Sequence, residues 1–246
     1  MQSDNPTAAI LVIGDEILSG RTREGNAHHL AQVLSATGFD LREIRVVADD
    51  HAQIVAAIRA FDRSLGGAWD LLFTSGGIGP THDDITADAV AAAHGTDIQI
   101  DPQARAILQA RCARMGTELT PNRLRMARIP VGATLIDNAV SGAPGFSIGN
   151  THVMAGVPEV FRGMVDWLIP RLPNGRPVQS RSLEIRRGES DVAEELGAVA
   201  KEFPDLSLGS YPYQDDRGWG TNLVVRGLDG ARVESAMQRL RERLRP

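Results

Sequence analysis

Residues Thr74 to Asp84 read Thr-Ser-Gly-Gly-Ile-Gly-Pro-Thr-His-Asp-Asp. Glycines such as Gly76, Gly77 and Gly79 permit positive φ and let backbone N–H groups close on a ligand. Free N–H groups at such a turn, next to a helix start, suit a phosphate. Asp83 and Asp84 follow directly, and carboxylates repel a bare phosphate. A divalent cation (Mg, Co or Mn) is therefore expected to mediate. The chemistry implied is that of a phosphorylated small molecule handled with a metal. The loop lacks the Gly-x-x-x-x-Gly-Lys-Ser/Thr pattern, and the third glycine of a dinucleotide fingerprint is replaced by His82. A helix N-cap accounts for one of the two aspartates, since a helix is predicted from Ile85. The other is then left for the ligand.

These residues need a scaffold, and the hydrophobic pattern supplies one. Ala8–Ile13, Leu41–Val47 and Trp69–Phe73 read as strands. Between them, Ala27, Leu30, Ala31 and Leu34, then Ile54, Ile58, Phe61 and Leu65, recur at helical spacing. Helices are also predicted over Ile85–His94, from Asp101-Pro102 to Gly116, and over Pro158–Leu172. Short strands are predicted at Ala133–Ile136, Gly145–Ile148 and Thr151–Met154. Such alternation predicts an α/β fold, a mainly parallel sheet covered on both faces, with ligands at the carboxyl ends of its strands. Two loops would meet there, Gly14–Gly20 and Thr74–Asp84. Pro170–Val178, with three prolines and Asn174-Gly175, reads as a linker. Beyond it a strand–helix–strand–strand–helix order predicts a small α+β unit. The expected domains are residues 1–172 and 173–246.

Composition narrows the function classes. The chain has 246 residues and a net charge of −5. From Gly175 onward twelve Lys/Arg balance twelve Asp/Glu, so the first part carries the whole excess. This argues against a general nucleic-acid binder. No apolar run has the length of a membrane span. The polar Met1–Thr7 segment has no secretory character, so a cytoplasmic protein is expected. Cys112 is the single cysteine, which excludes an internal disulfide and a cysteine-rich zinc site.

Gly14-Asp15-Glu16-Ile17-Leu18-Ser19-Gly20, followed by Asn26, resembles the opening motif of the CinA-type competence/damage-inducible family. Ser75–Thr86 resembles its second motif. Asn138 with Gly142–Phe146, and Gly156-Val157-Pro158-Glu159, resemble the third and fourth. The resemblance implies a three-layer MoaB/Mog-like molybdopterin-binding fold followed by a KH-like module. It also implies a pterin or nucleotide ligand. Ala155 stands where the family usually has proline. The amidase domain usual in CinA proteins is not among these residues, so nicotinamide-nucleotide deamidation is not carried over. Ser207–Pro212 looks closer to the FAD-synthase-like branch, whose synthase half is also absent. The sole Gly-x-x-Gly after the linker, Gly227-Leu228-Asp229-Gly230, follows a strand and is acidic, so no nucleic-acid partner is expected. A homo-oligomer is expected.

Roles follow residue by residue. Asp84 aligns with the active-site aspartate of the molybdenum-cofactor branch. Asp83, Asp84 and Glu16 are the expected catalytic metal ligands, and Glu16 could instead hold a ligand hydroxyl. Ligand contacts are expected from Gly14, Asp15, Ser19, Asn26, Thr74, Ser75, Gly76, Gly77, Gly79, Thr86, Gly142 and Gly145. Asn26 could equally cap its helix. Ser75 lacks the Gly-x-Ser-x-Gly setting of a nucleophile and is read as a phosphate binder. His82 could bind metal, assist proton transfer or do neither. The leading expectation is metal-dependent cleavage of a nucleotide pyrophosphate such as FAD or ADP-ribose. The alternatives are adenylyl transfer to molybdopterin and non-catalytic ligand binding.

Overall fold

The computed structural model describes residues 5–173 and 175–244. Asn174 of the expected linker turn and Met1–Asp4 of the expected polar terminus lie outside them. The chain divides into two compact units, the sequence passing from one to the other between Gly175 and Arg176.

The first unit runs β1 (Thr7–Ile13), α1 (Asp15–Leu18), α2 (Asn26–Thr37), β2 (Asp40–Val47), α3 (His51–Phe61) and β3 (Leu71–Ser75). It continues α4 (Thr86–His94), β4 (Ile98–Ile100), α5 (Pro102–Arg114), α6 (Pro121–Leu124), β5 (Arg128–Pro130) and β6 (Thr134–Ile136). β7 (Gly145–Ile148), β8 (Thr151–Met154) and α7 (Pro158–Leu168) complete it. The main sheet has the order β2-β1-β3-β8-β7-β6. The pairs from β2 to β8 are parallel, whereas β8–β7 and β7–β6 are antiparallel. β1 lies inside this sheet, and Ala8–Ile13 are all buried, as a strand covered on both faces must be. Its alternate residues feed two cores. Ala9, Leu11 and Ile13 pack with α3, α4 and α5. Ala8, Ile10 and Val12 pack with α2 and α7. The three-layer, mainly parallel fold expected from the sequence is thereby present.

Three readings need correction. The third strand begins at Leu71, not Trp69, and runs on through Thr74 and Ser75, because it pairs with β1 on one side and β8 on the other. Trp69 makes only an isolated bridge to Asp62. Neither Asp83 nor Asp84 caps the helix after the glycine loop. α4 starts at Thr86, its N-cap residue is Ile85, and no side chain caps it. The small β4–β5 ribbon was not foreseen, since each strand has only three residues.

The second unit comprises β9 (Gln179–Ile185), α8 (Ala193–Glu202), β10 (Ser207–Asp215), β11 (Gly218–Gly227) and α9 (Gly230–Arg243). This is the strand–helix–strand–strand–helix order expected. Its antiparallel sheet, β10-β11-β9, packs Leu183, Leu223 and Val225 against Val199, Val233 and Leu240 of the two helices. Among the described residues no helix is long and apolar enough to cross a membrane.

A buried polar knot ties α3, α4 and β8 together at the amino end of β8. Asp62 is fully buried and accepts hydrogen bonds from Ser64 N at 2.7 Å and Thr151 Oγ1 at 2.6 Å. His94 Nε2 stands 3.6 Å from its carboxylate. Nearby His152 contacts Phe73 and sits 2.8 Å from Ser147 Oγ. Burial pushes the His152 imidazole down to about 4, against a smaller opposing pull from Asp62. Burial lowers His94 in the same direction. Both rings are therefore favoured neutral in the folded state. The stability this contributes is present above the ordinary histidine value of 6.5 and is lost as pH falls toward 4. Between pH 7 and 4.5 the unfolding free energy should drop by about 2 kcal/mol. Denaturant titrations at the two pH values check this, with His152→Gln expected to flatten the slope. A wild-type stability that is level over that range would overturn the assignment.

Candidate functional site

The carboxyl ends of β1, β2, β3 and β8 surround a cleft of about 450 Å³. Its position is where an open parallel sheet offers diverging loops to a ligand. The backbone there is packed too closely for side chains. A Cβ on Gly76 would stand 2.2 Å from Ile13 O, and Gly76 has φ of 110°. A Cβ on Gly156 would meet Gly76 Cα at 3.3 Å. Gly77, at φ 69°, would place its Cβ 2.1 Å from Thr86 Oγ1. Thr86 in turn fastens the loop: its Oγ1 donates to Gly76 O at 3.0 Å and its N–H to Gly77 O at 3.0 Å.

The amides of this loop divide into two groups. Ser75 belongs to the sheet ladder, and Gly76 N donates to Met154 O at 3.1 Å. The N–H groups of Gly77, Ile78 and Gly79 donate to nothing among the described residues, and all three residues line the cleft. Consecutive amides left free at a tight turn are the kind of donors that anion sites use.

Four carboxylates line the same cleft, Glu16, Asp49, Asp83 and Asp84. Among the described residues no basic side chain lines the cleft. Asp84 is held by Thr81, whose N–H reaches its Oδ2 at 2.7 Å and whose hydroxyl donates to the same oxygen. Its Oδ1 accepts nothing among the described residues and is left for a ligand. Thr81 is fixed in turn by Arg125, whose Nε donates to Thr81 O at 3.2 Å. Asp49 accepts from Asp15 N at 3.0 Å. Burial raises the Asp49 carboxyl above its ordinary range, and repulsion from Asp15, Glu16 and Asp83 adds to this beyond what the Asp15 N–H offsets. The remaining wall is apolar: Ile13, Ile78, Met126, Ala143, Val157 and Val160. Val157 is 61% exposed, a large apolar side chain held at the rim.

Of the residues expected from the sequence, Gly14, Glu16, Gly76, Gly77, Gly79, Asp83 and Asp84 come together here. Others do not. Thr74 is buried in β3, and Thr86 is buried and committed to the loop backbone. Asp15 binds the backbone of Asp49 from outside the cleft, and Ser19 is exposed. Gly142 and Gly145 are glycines for packing: added Cβ atoms would meet Arg111 Cδ at 2.7 Å and Val153 O at 2.3 Å. Their neighbours Ser141 and Ala143 reach the cleft instead. Asn138 shapes that turn, accepting from Val140 N and Ser141 N and donating to Ala143 O at 2.8 Å. Asn26 neither caps α2 nor lines the main cleft. Its Nδ2 donates to Ser75 Oγ and Gly156 O. The His82 side chain is 98% exposed and does not line the cleft. Asp88 pairs with Arg128.

Asp49 was missed by sequence reasoning. The available signal was its place two residues after β2, a strand parallel to β1. Ala155, where the resemblance leads one to expect proline, donates its N–H to Met164 Sδ at 3.4 Å, a bond proline could not make. Among the described residues no group of three or more His, Cys, Asp or Glu is arranged to hold a metal by itself.

Comparison with known proteins fits this geometry. Residues 9–174 match the model of the family described as a probable molybdopterin binding domain, and residues 177–246 match the FAD synthase middle domain. A "Probable FAD synthase" of Caenorhabditis elegans is 30% identical, over 97% of this chain and 50% of its own length. A CinA-like protein of Anaeromyxobacter is 39% identical, over 66% of this chain and 40% of its own. The chain thus spans about half the length of the first curated relatives it matches. The crystal structure of CinA, of unknown function, from Thermoplasma acidophilum aligns with a TM-score of 0.59. It is 35% identical and covers 67% of this chain and 96% of its own. By sequence match and by likeness of fold, the chain belongs to the molybdopterin-binding domain family, with the CinA-like proteins among its relatives.

Proposed function

We propose that the first unit binds a phosphate-containing pterin or nucleotide and hydrolyses a nucleotide pyrophosphate such as FAD or ADP-ribose with a divalent cation. The observation that supports this most is the composition of the cleft: three free amides and four carboxylates, with no basic side chain. A pyrophosphate held on those amides faces like charge, which a cation must offset. The donor set fits a hard cation shared between protein oxygens and ligand phosphate, a mode that needs only one or two carboxylates. Glu16, Asp49, Asp83 and Asp84 are the residues that would hold it. Such an ion would supply Lewis-acid polarisation and activate water as a nucleophile.

The chain's own groups perform the rest. The Gly77–Gly79 amides orient the phosphate and stabilise charge that grows on its oxygens. Thr81, itself held by Arg125, fixes Asp84 Oδ2 so that Oδ1 faces the ligand. The wall of Ile78, Met126, Val157 and Val160 covers the flat ring of a base or pterin and excludes water from the reacting centre. The same assays, run with ATP and molybdopterin, test adenylyl transfer, in which a pterin phosphate replaces water as acceptor.

Asp84→Asn keeps shape and removes the charge. It should lower the hydrolysis of FAD or ADP-ribose by at least about a hundredfold at saturating metal, with an unchanged unfolding curve. Wild-type turnover by this variant would sink the assignment. Gly79 and Gly77 should separate. A Cβ at 79 meets Asp84 Oδ2 at 2.6 Å, a movable side chain, whereas one at 77 meets Thr86 beneath a left-handed turn. Gly79→Ala should therefore cost activity with little loss of stability. Gly77→Ala should cost about 1–3 kcal/mol of folding free energy. Equal stability losses, measured by denaturant titration, would contradict the geometry.

Asp49 gives a test of opposite sign. Its raised folded-state value penalises the charged form, so the native state loses stability as pH rises through and beyond the ordinary 3.8. Asp49→Asn retains the oxygen that accepts from Asp15. It should stabilise the protein at pH 7, by under about 1 kcal/mol in this solvent-screened site, and the gain should vanish below pH 3.8. The same variant should need more metal for half-maximal activity. Destabilisation at neutral pH would refute this account of the carboxylate cluster.

A further inference from the structure

A smaller cavity of about 70 Å³ lies beside the cleft. Ile13, Glu16 and Gly156 line both spaces, so the two share a wall. The smaller cavity has both apolar and polar walls, and its buried polar members are Asn26, 7% exposed, and Ser75, 3% exposed. Arg23 stands at its exposed edge and makes no ion pair among the described residues. Glu24 has one carboxylate oxygen engaged by Ala27 N at 2.8 Å.

Chemistry fixes the orientation of the Asn26 amide. Nδ2 donates to Gly156 O at 2.7 Å and to Ser75 Oγ at 2.9 Å. A carbonyl oxygen can only accept, so the nitrogen must face Gly156 and Oδ1 must face away from it. Oδ1 accepts no hydrogen bond among the described residues and is not sealed from solvent. The Ser75 hydroxyl accepts from Asn26, and its own proton is donated to no partner there.

A fixed acceptor beside an unused donor selects for hydroxyls, which can donate to Asn26 Oδ1 and accept from Ser75 Oγ. A phosphate oxygen would be repelled by Oδ1. An apolar group would leave both positions unpaired. We propose that this cavity is a sugar subsite, in which Asn26 and Ser75 take hydroxyls of the ribose or ribityl unit attached to a phosphate on the Gly77–Gly79 amides. The subsite rests on the phosphate reading given above. It adds a chemical selection that the apolar wall of the main cleft does not supply.

Calorimetry on the full chain in magnesium, with ribose 5-phosphate, the hydroxyl-free tetrahydrofurfuryl phosphate and inorganic phosphate, tests it without recourse to turnover. Ribose 5-phosphate should bind about tenfold or more tightly than the hydroxyl-free analogue, the effect of two hydrogen bonds. Ser75→Ala should shrink that ratio to about threefold or less. Gly79→Ala should weaken all three ligands and leave the ratio unchanged. Equal affinity of the two organic phosphates for the wild-type protein would overturn the subsite and leave the phosphate reading standing, whether or not Ser75→Ala folds. A ratio that survives Ser75→Ala would also overturn it. Failure of all three ligands to bind, inorganic phosphate included, would overturn both.

Discussion

The site depends on how closely the backbones of β1, β3 and β8 converge at their carboxyl ends. A single methyl group on Gly76 would collide with Ile13 O at 2.2 Å. Because no side chain intervenes there, the chain can turn at once after β3 and leave the next three amides without partners. The convergence is enforced from both sides. Alternate residues of β1 anchor one core against α3, α4 and α5 and another against α2 and α7. The amides are held open by packing on both faces of the sheet, and little is left for a ligand to organise.

The sequence was most informative where physical chemistry is local. Unbroken apolar runs marked the buried strands, glycines at 76, 77 and 79 marked the tight turn, and Asp101-Pro102 opened a helix that Asp101 does cap. It was least informative where a residue's partner is distant. Asn26 finds Ser75 and Gly156, 49 and 130 positions away, and nothing in its neighbourhood announces either. Thr74 and Ser75 looked like loop because they are polar. Pairing on both sides keeps them in the strand, and their burial follows from the sheet. One of Asp83 and Asp84 was expected to cap the helix because capping is a common use of aspartate there. Thr81 captures Asp84 first, over three residues, and the helix begins without a side-chain cap.

The glycines also separate by what they make room for. Those at 76 and 77 accommodate main chain and Thr86, and belong to the fold. Those at 14 and 79 accommodate carboxylates: added Cβ atoms would stand 2.7 Å from Glu16 Oε1 and 2.6 Å from Asp84 Oδ2. A φ in the left-handed region accompanies the first pair, whereas Gly14 is extended at φ 160°. The glycines of the cleft are thus needed for two different reasons, one set by backbone conformation and one by the space an acidic side chain occupies.

A cleft that offers amides to an anion, yet surrounds them with four carboxylates, has a thermodynamic character beyond its shape. On the proposed reading, its affinity for the free anion would be low by electrostatics, and its affinity for a free cation would be limited because among the described residues no three groups enclose one. Each species would then raise the affinity for the other, and by the same factor, since such coupling is reciprocal. Occupancy would vary with the product of the two concentrations. A protein so built would answer to the coincidence of anion and metal, and stay largely empty when either is scarce.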